Sequence, residues 1–189
     1  MEYLDIVDEN GSPIGKTVSR KDAHESGILH RTAHVWIIRQ VQGKTEVLLQ
    51  KRSEEKDSFP GMYDTSSAGH IPAGDEPLPS AIRELKEELG IKASAEQLHY
   101  AGTFRIQYEK VFHDLLFKDN EVTQVFVYTE PVQIDQLVLQ ASEVSEVQWF
   151  SLNEVWNEIH NGDRSRFCVP IQGLSVLQDW VLKRGSAQS

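Results

Sequence analysis

A mixed α/β (α+β) fold, in which a β-sheet is sandwiched between α-helices, is predicted by three observations. Short runs rich in aliphatic residues, bounded by turn residues, recur along the 189-residue chain. One segment, residues 77–89, instead repeats its apolar residues at three- and four-residue steps, the period of a half-buried helix. Two further helical patterns follow the last of the strand-like runs, so a few helices are left to cover one sheet.

Taken in order, residues 3–7 (YLDIV) read as a short strand, and DENGSPIG after it is turn chemistry, with Asn10-Gly11 favouring a tight hairpin. HVWIIRQ at 34–40 and TEVLLQKR at 45–52 read as strands joined through the polar link QGK, and EKDSFPGMYD at 55–64 as a loop. In the helix over 77–89, Leu78, Ala81, Ile82, Leu85 and Leu89 form one apolar stripe. Pro77 and Pro79 fit its first turn, where no backbone donor is missed, and Gly90 fits the position just past its end. HYAGTFRIQY, EVTQVFVYTE and VSEVQWFSL read as three more strands. LNEVWNEIHN is a short helix, and LSVLQDWVLKR another, with Leu174, Leu177, Val181 and Leu182 on one side. The expectation is one domain over residues 1–183, with a small polar tail at 184–189 that frays.

Composition narrows the function. A net charge of -10 disfavours a nucleic-acid backbone as partner but leaves room for a small anion met by a local basic patch or a metal. The single cysteine, Cys168, excludes an internal disulfide and suits a reducing cytoplasm. No apolar N-terminal segment reads as a signal peptide, and no apolar run approaches the ~18 residues of a membrane span. Oligomeric state is not legible.

The chemistry concentrates in GHIPAGDEPLPSAIRELKEELGI, residues 69–91. Glu84, Glu87 and Glu88 stand at i, i+3 and i+4, where like charges repel, and they lie near a helix C-terminus, where the dipole disfavours anions. A solvated acidic face is the plain reading. A bound divalent cation would reverse both penalties, and magnesium takes carboxylate oxygens together with substrate phosphates. The full spacing favours the cation. Gly69, five residues, Asp75, seven residues, then Arg83-Glu84-Leu85-Lys86-Glu87-Glu88-Leu89-Gly90-Ile91 resembles the Nudix box, the loop–helix–loop element of the Nudix hydrolases. Asp75 stands where that family has glutamate, and Glu76 follows it. The resemblance implies the Nudix fold, with Mg²⁺ (or Mn²⁺) as cofactor and a small-molecule diphosphate as substrate. It places Glu84, Glu87 and Glu88 at metal-binding and base-providing positions, Arg83 at the position that orients those carboxylates, and the Gly69 carbonyl as a backbone metal ligand.

A narrower resemblance runs outside the box. HESGILHR (24–31), LLQKRSEEKDSFPGMY (48–63), Gly69-His70 and DNEVTQVF (119–126) look like type 1 isopentenyl-diphosphate isomerase, a member of the same superfamily. That likeness implies a second metal site from His24, His30, His70, Asp119 and Glu121, and a substrate diphosphate held by Arg52 and Lys56. It breaks at Ala68, where the isomerase has the cysteine that moves the proton; a methyl group cannot do so. A hydrolase on the isomerase scaffold is therefore expected, with isomerisation and a non-enzymatic metabolite sensor as the alternatives. Cys168 reads as a buried apolar thiol, His34 and His113 as ordinary surface or capping residues, and Phe59, Tyr63, Tyr108, Phe112 and Trp149 as core or surface rather than ligand contacts.

Overall fold

A computed structural model describes residues 2–186. A hairpin opens the chain, β1 (Tyr3–Val7) against β2 (Pro13–Ser19), with Gly11 at φ 78 in its turn. A short helix α1 (Arg20–Ser26) follows directly. Its buried residues are Ala23 and His24, and its two ends hold it: the Ser19 side chain accepts from the Asp22 N–H, and Gly27 closes it at φ 67.

Among the described residues, the main sheet has seven strands. β3 (His30–Val41) lies at its centre, flanked by β4 (Lys44–Arg52) and, in parallel, by β8 (Leu115–Tyr128). β7 (Leu98–Phe112) pairs with β8, β5 (Tyr63–Asp64) and β9 (Val144–Ser151) pair with β4, and β6 (Ser67–His70) pairs with β3. Helix α2 (Pro77–Leu89) covers one face; α3 (Leu152–His160) and α4 (Ile171–Ser186) cover the other. Each face has its own core: Leu85 and Leu89 of α2 meet Val35, Ile37 and Leu48, whereas Leu174 and Leu177 of α4 meet Trp36, Phe104 and Val125.

The feature that makes a cleft is a fork in β3. Its first half, Thr32–Val35, pairs with β6, and its second half, Ile37–Val41, pairs with β4. Where the partner changes, the Ile37 N–H donates to the Ser66 hydroxyl at 2.8 Å, so this backbone donor is satisfied at the split.

The helix over 77–89 has the bounds expected from its periodicity, with Pro77 in its first turn and Gly90 at φ 74 beyond its end. Several other elements differ from the sequence reading. β2 and α1 carry no apolar period, since β2 is exposed over most of its length and α1 buries one alanine and one histidine. β7 and β8 extend into a long hairpin turned by His113 and Asp114, both at positive φ, without the Asn-Gly signal such turns favour. Leu182 is 63% exposed, and Trp180 packs on the α4 face of the core instead. α4 continues through Ser186, past the expected boundary at 183, and residues 187–189 lie outside the described residues.

Candidate active site

The strands on either side of the fork wall a cleft of about 680 Å³. Successive residues of β6 face opposite ways, and this strand therefore serves two corners at once. Gly69 faces α2, and His70 faces the start of β3.

On the α2 side, Glu88 is buried among Ala81, Leu85 and Leu89 rather than flanking them. Its Oε2 accepts from the Ala68 N–H at 3.2 Å and from Gln50 Nε2 at 3.1 Å. Burial pushes the Glu88 carboxyl up to about 8, and burial also raises that of Glu84 despite its neighbour Arg83. Glu84 lies against the Gly69 α-carbon so closely that a Cβ there would overlap its carboxylate. Arg83 ties the group together. It pairs with Glu84 at 2.8 Å and with the more exposed Glu87 at 2.9 Å, and Nη2 donates to the His70 carbonyl at 3.2 Å. A buried carboxyl with a high pKa, near a second one that a glycine leaves room for, is costly to ionise without a cation. These oxygen donors suit a hard divalent ion.

On the other side, His24, His30, His70 and Glu121 present ligand atoms all within 4.8 Å of one another. His24 comes from α1, His30 from the first residue of β3, His70 from β6 and Glu121 from β8, where it stands in register with His30. His24 Nε2 and His70 Nε2 are 3.0 Å apart; His30 Nε2 is 3.5 Å and His70 Nε2 3.8 Å from Glu121 Oε1. His30 Nδ1 bonds the Ile28 carbonyl at 2.8 Å, which fixes the ring and aims Nε2 inward, where it is buried without a hydrogen-bond partner. Burial and the charge of His30 press His24 down to about 4, and burial lowers His70 as well, so both rings are neutral donors at neutral pH. Burial works against charge on His30 and Glu121, but their mutual attraction prevails: Glu121 is held well below the usual carboxylate range and His30 above the usual imidazole value. Three imidazoles and a carboxylate at this spacing fit a transition-metal ion. Asp119 is not one of the four. It approaches the other ring nitrogen of His24, with Oδ1 3.7 Å from Nδ1, and burial together with Glu121 pushes it up to about 9.

Arg52 and Lys56 also line the cleft. Arg52 donates to Asp64 at 3.1 Å and to the Ser58 carbonyl at 2.8 Å, and Lys56 pairs with Glu143. Tyr108 and Phe117 of the long hairpin close one side, with the Phe117 ring stacked on His24 at 4.3 Å. Two residues read otherwise in the sequence line the cleft, and a third supports the α2 corner. His34 lies in mid-strand, 8% exposed, and lines the cleft rather than the surface. Cys168 likewise lines it, beside Asp64 and Arg52, with Sγ 3.4 Å from the Tyr63 carbonyl. Gln50, which the sequence places only within a strand, holds Glu88. The pairing of β3 with β6 and β4 places His34 and Gln50, and the bridge of Phe167 to Tyr63 brings in Cys168, so spacing along the chain carried no signal for them. His113, by contrast, is exposed at the hairpin turn as expected of an ordinary residue, and bonds the Lys56 carbonyl at 3.1 Å.

A sheet held between helices, with a carboxylate helix docked on a glycine strand, defines the class, and comparison with known proteins agrees. The NUDIX domain matches residues 29–168, and the chain belongs to the Nudix family of hydrolases. Nudix hydrolase 3 of Arabidopsis thaliana is 39% identical over 164 residues, covering 86% of this chain; the chain spans only 21% of that plant protein's length. Isopentenyl-diphosphate Delta-isomerase 1 of Photorhabdus laumondii is 32% identical over 175 residues, 90% of each chain. Among solved structures, a protein of Deinococcus radiodurans overlays with a TM-score of 0.68 over 94% of this chain and 98% of its own, at 19% identity, a likeness of fold. Among the described residues, no helix is long and apolar enough to cross a membrane.

Proposed function

We propose that this chain is a divalent-metal-dependent hydrolase that cleaves the diphosphate linkage of a small organic diphosphate. The observation that carries this reading is the buried Glu88 carboxyl, held by the Ala68 N–H, on the same helix as a Glu84 carboxylate packed against Gly69, a set of oxygen donors that a divalent cation would draw into its charged form. Glu84, Glu87, Glu88 and the Gly69 carbonyl would hold Mg²⁺ (or Mn²⁺), with Arg83 orienting the carboxylates. When bound, the ion would neutralise phosphate charge and acidify a water. Arg52 and Lys56 offer positive charge for the diphosphate, each by giving up part of a present pairing with Asp64 or Glu143. One of the α2 carboxylates takes the proton as water attacks phosphorus, and the bridging oxygen leaves with its electron pair. His24, His30, His70 and Glu121 would hold a second ion beside the same cleft.

Isomerisation of a prenyl diphosphate is the second reading, favoured by the histidine corner and by the relative of that activity. Against it, Ala68 puts a methyl group where a proton carrier would be needed. Incubation with Mg²⁺ and a panel of nucleoside diphosphate derivatives and prenyl diphosphates separates the two. Hydrolysis is expected to release two phosphorylated or phosphate-bearing products in a metal-dependent way, with no deuterium entering isopentenyl diphosphate in D₂O. Deuterium exchange without hydrolysis of any member would reverse the assignment.

A further inference from the structure

Among the described residues, two that line the cleft carry a buried side-chain polar atom without a hydrogen-bond partner: Asp119, at the histidine corner, and His34, which neither corner uses. His34 stands in register with Ala68 across the β3–β6 pair, so the two side chains point to the same face of the sheet. Its ring meets Phe104 edge-on, with centroids 5.6 Å apart, and Nδ1 has no partner. A half-turn about Cβ–Cγ exchanges nitrogen for carbon with little change of shape, so either nitrogen can be offered to the cleft. The small methyl of Ala68 leaves the space in front of the ring to whatever enters. A hydrocarbon placed there would leave a desolvated imidazole unpaired, whereas a hydroxyl, carbonyl or amide would satisfy it.

Resting on the hydrolase reading above, we propose that His34 determines specificity, selecting diphosphates whose organic half places a hydrogen-bonding group over Ala68 and discriminating against hydrocarbon tails. Burial lowers the His34 pKa, so at neutral pH the ring is uncharged and offers one donor and one acceptor. Asp64, Arg52 and Glu121 surround it electrostatically, which makes the pocket polar at this end.

The test compares kcat/KM for ADP-ribose and UDP-glucose with kcat/KM for isopentenyl and geranyl diphosphate, in the unsubstituted chain and in His34→Leu and His34→Gln. The hydroxylated substrates are expected to be preferred, His34→Leu to reduce that preference by about 10²-fold, and His34→Gln to restore most of it. Dissociation constants for the same ligands, measured with Ca²⁺ in place of Mg²⁺, give the ratio without turnover. If nothing is hydrolysed, the hydrolase reading fails, and the ratio of dissociation constants still decides the role of His34. A ratio unmoved by His34→Leu, or a preference for the prenyl diphosphates, overturns the proposal.

Discussion

Glu88→Gln is expected to fold, to melt higher than the unsubstituted chain when metal is absent, and to lose turnover by about 10²–10³-fold. The fold survives because both donors to Glu88, the Ala68 N–H and Gln50 Nε2, reach the same oxygen, and a glutamine carbonyl can accept both. The stability gain follows from the raised pKa. The folded carboxyl titrates near about 8 and an unfolded glutamate near ~4.3, so between those values the folded state binds more protons. The metal-free native chain therefore loses stability as pH rises through that window, and the neutral amide does not. The difference in Tm should be small at pH 5 and largest above pH 8, at about 2–4 °C for each kcal/mol relieved. Mg²⁺ reverses the order by raising the native Tm more than that of the variant. Thermal melts with chelator and with Mg²⁺ at pH 5, 7 and 8.5, run beside activity assays, check both halves.

Gly69→Ala is expected to lower kcat/KM by about 10²-fold while shifting Tm little. The backbone there is open to any residue, since Gly69 is not among the positive-φ positions. The penalty is local: the new methyl would occupy the place of the Glu84 carboxylate, which Arg83 otherwise holds against the strand. Glu84 must swing away, and the metal site proposed there loses one of its carboxylates. A steep rise in the Mg²⁺ concentration needed for half-maximal activity, with the melt preserved, identifies this displacement. Unchanged metal activation would mean that Glu84 lies outside the working site.

Much of this arrangement was legible before any coordinates. Helix α2 carries an apolar stripe strong enough to give its bounds, and its proline and glycine mark both ends. β3, β4 and β9 were read within a few residues because burial demands aliphatic runs there. α1 escaped because a helix that buries one alanine and one histidine has no periodic contrast, and its caps carry the signal instead. The carboxylates of α2 could be read through their spacing, and the members of the histidine corner only through a family resemblance. His34, Gln50 and Cys168 could not: the pairing of β3 with β6 sets His34 against Ala68, β4 brings Gln50 to Glu88, and the bridge of Phe167 to Tyr63 brings Cys168 to the cleft, all contacts between distant segments rather than properties of any one. The burial of Glu88 was likewise hidden, because the sequence shows an acid beside an apolar stripe and only the docking of α2 on β6 encloses it.

The proposed hydrolysis requires α2 to be the metal and diphosphate site. The most direct measurement is a crystal of this chain soaked with Mn²⁺ and a non-hydrolysable methylene diphosphate analogue, read by anomalous scattering. The expected result is a Mn²⁺ peak bonded to Glu84, Glu88 and the Gly69 carbonyl and touching the analogue's phosphonate oxygens, with a second peak among His24, His30, His70 and Glu121. A map with metal only at the histidines, and the analogue bound away from α2, would contradict it.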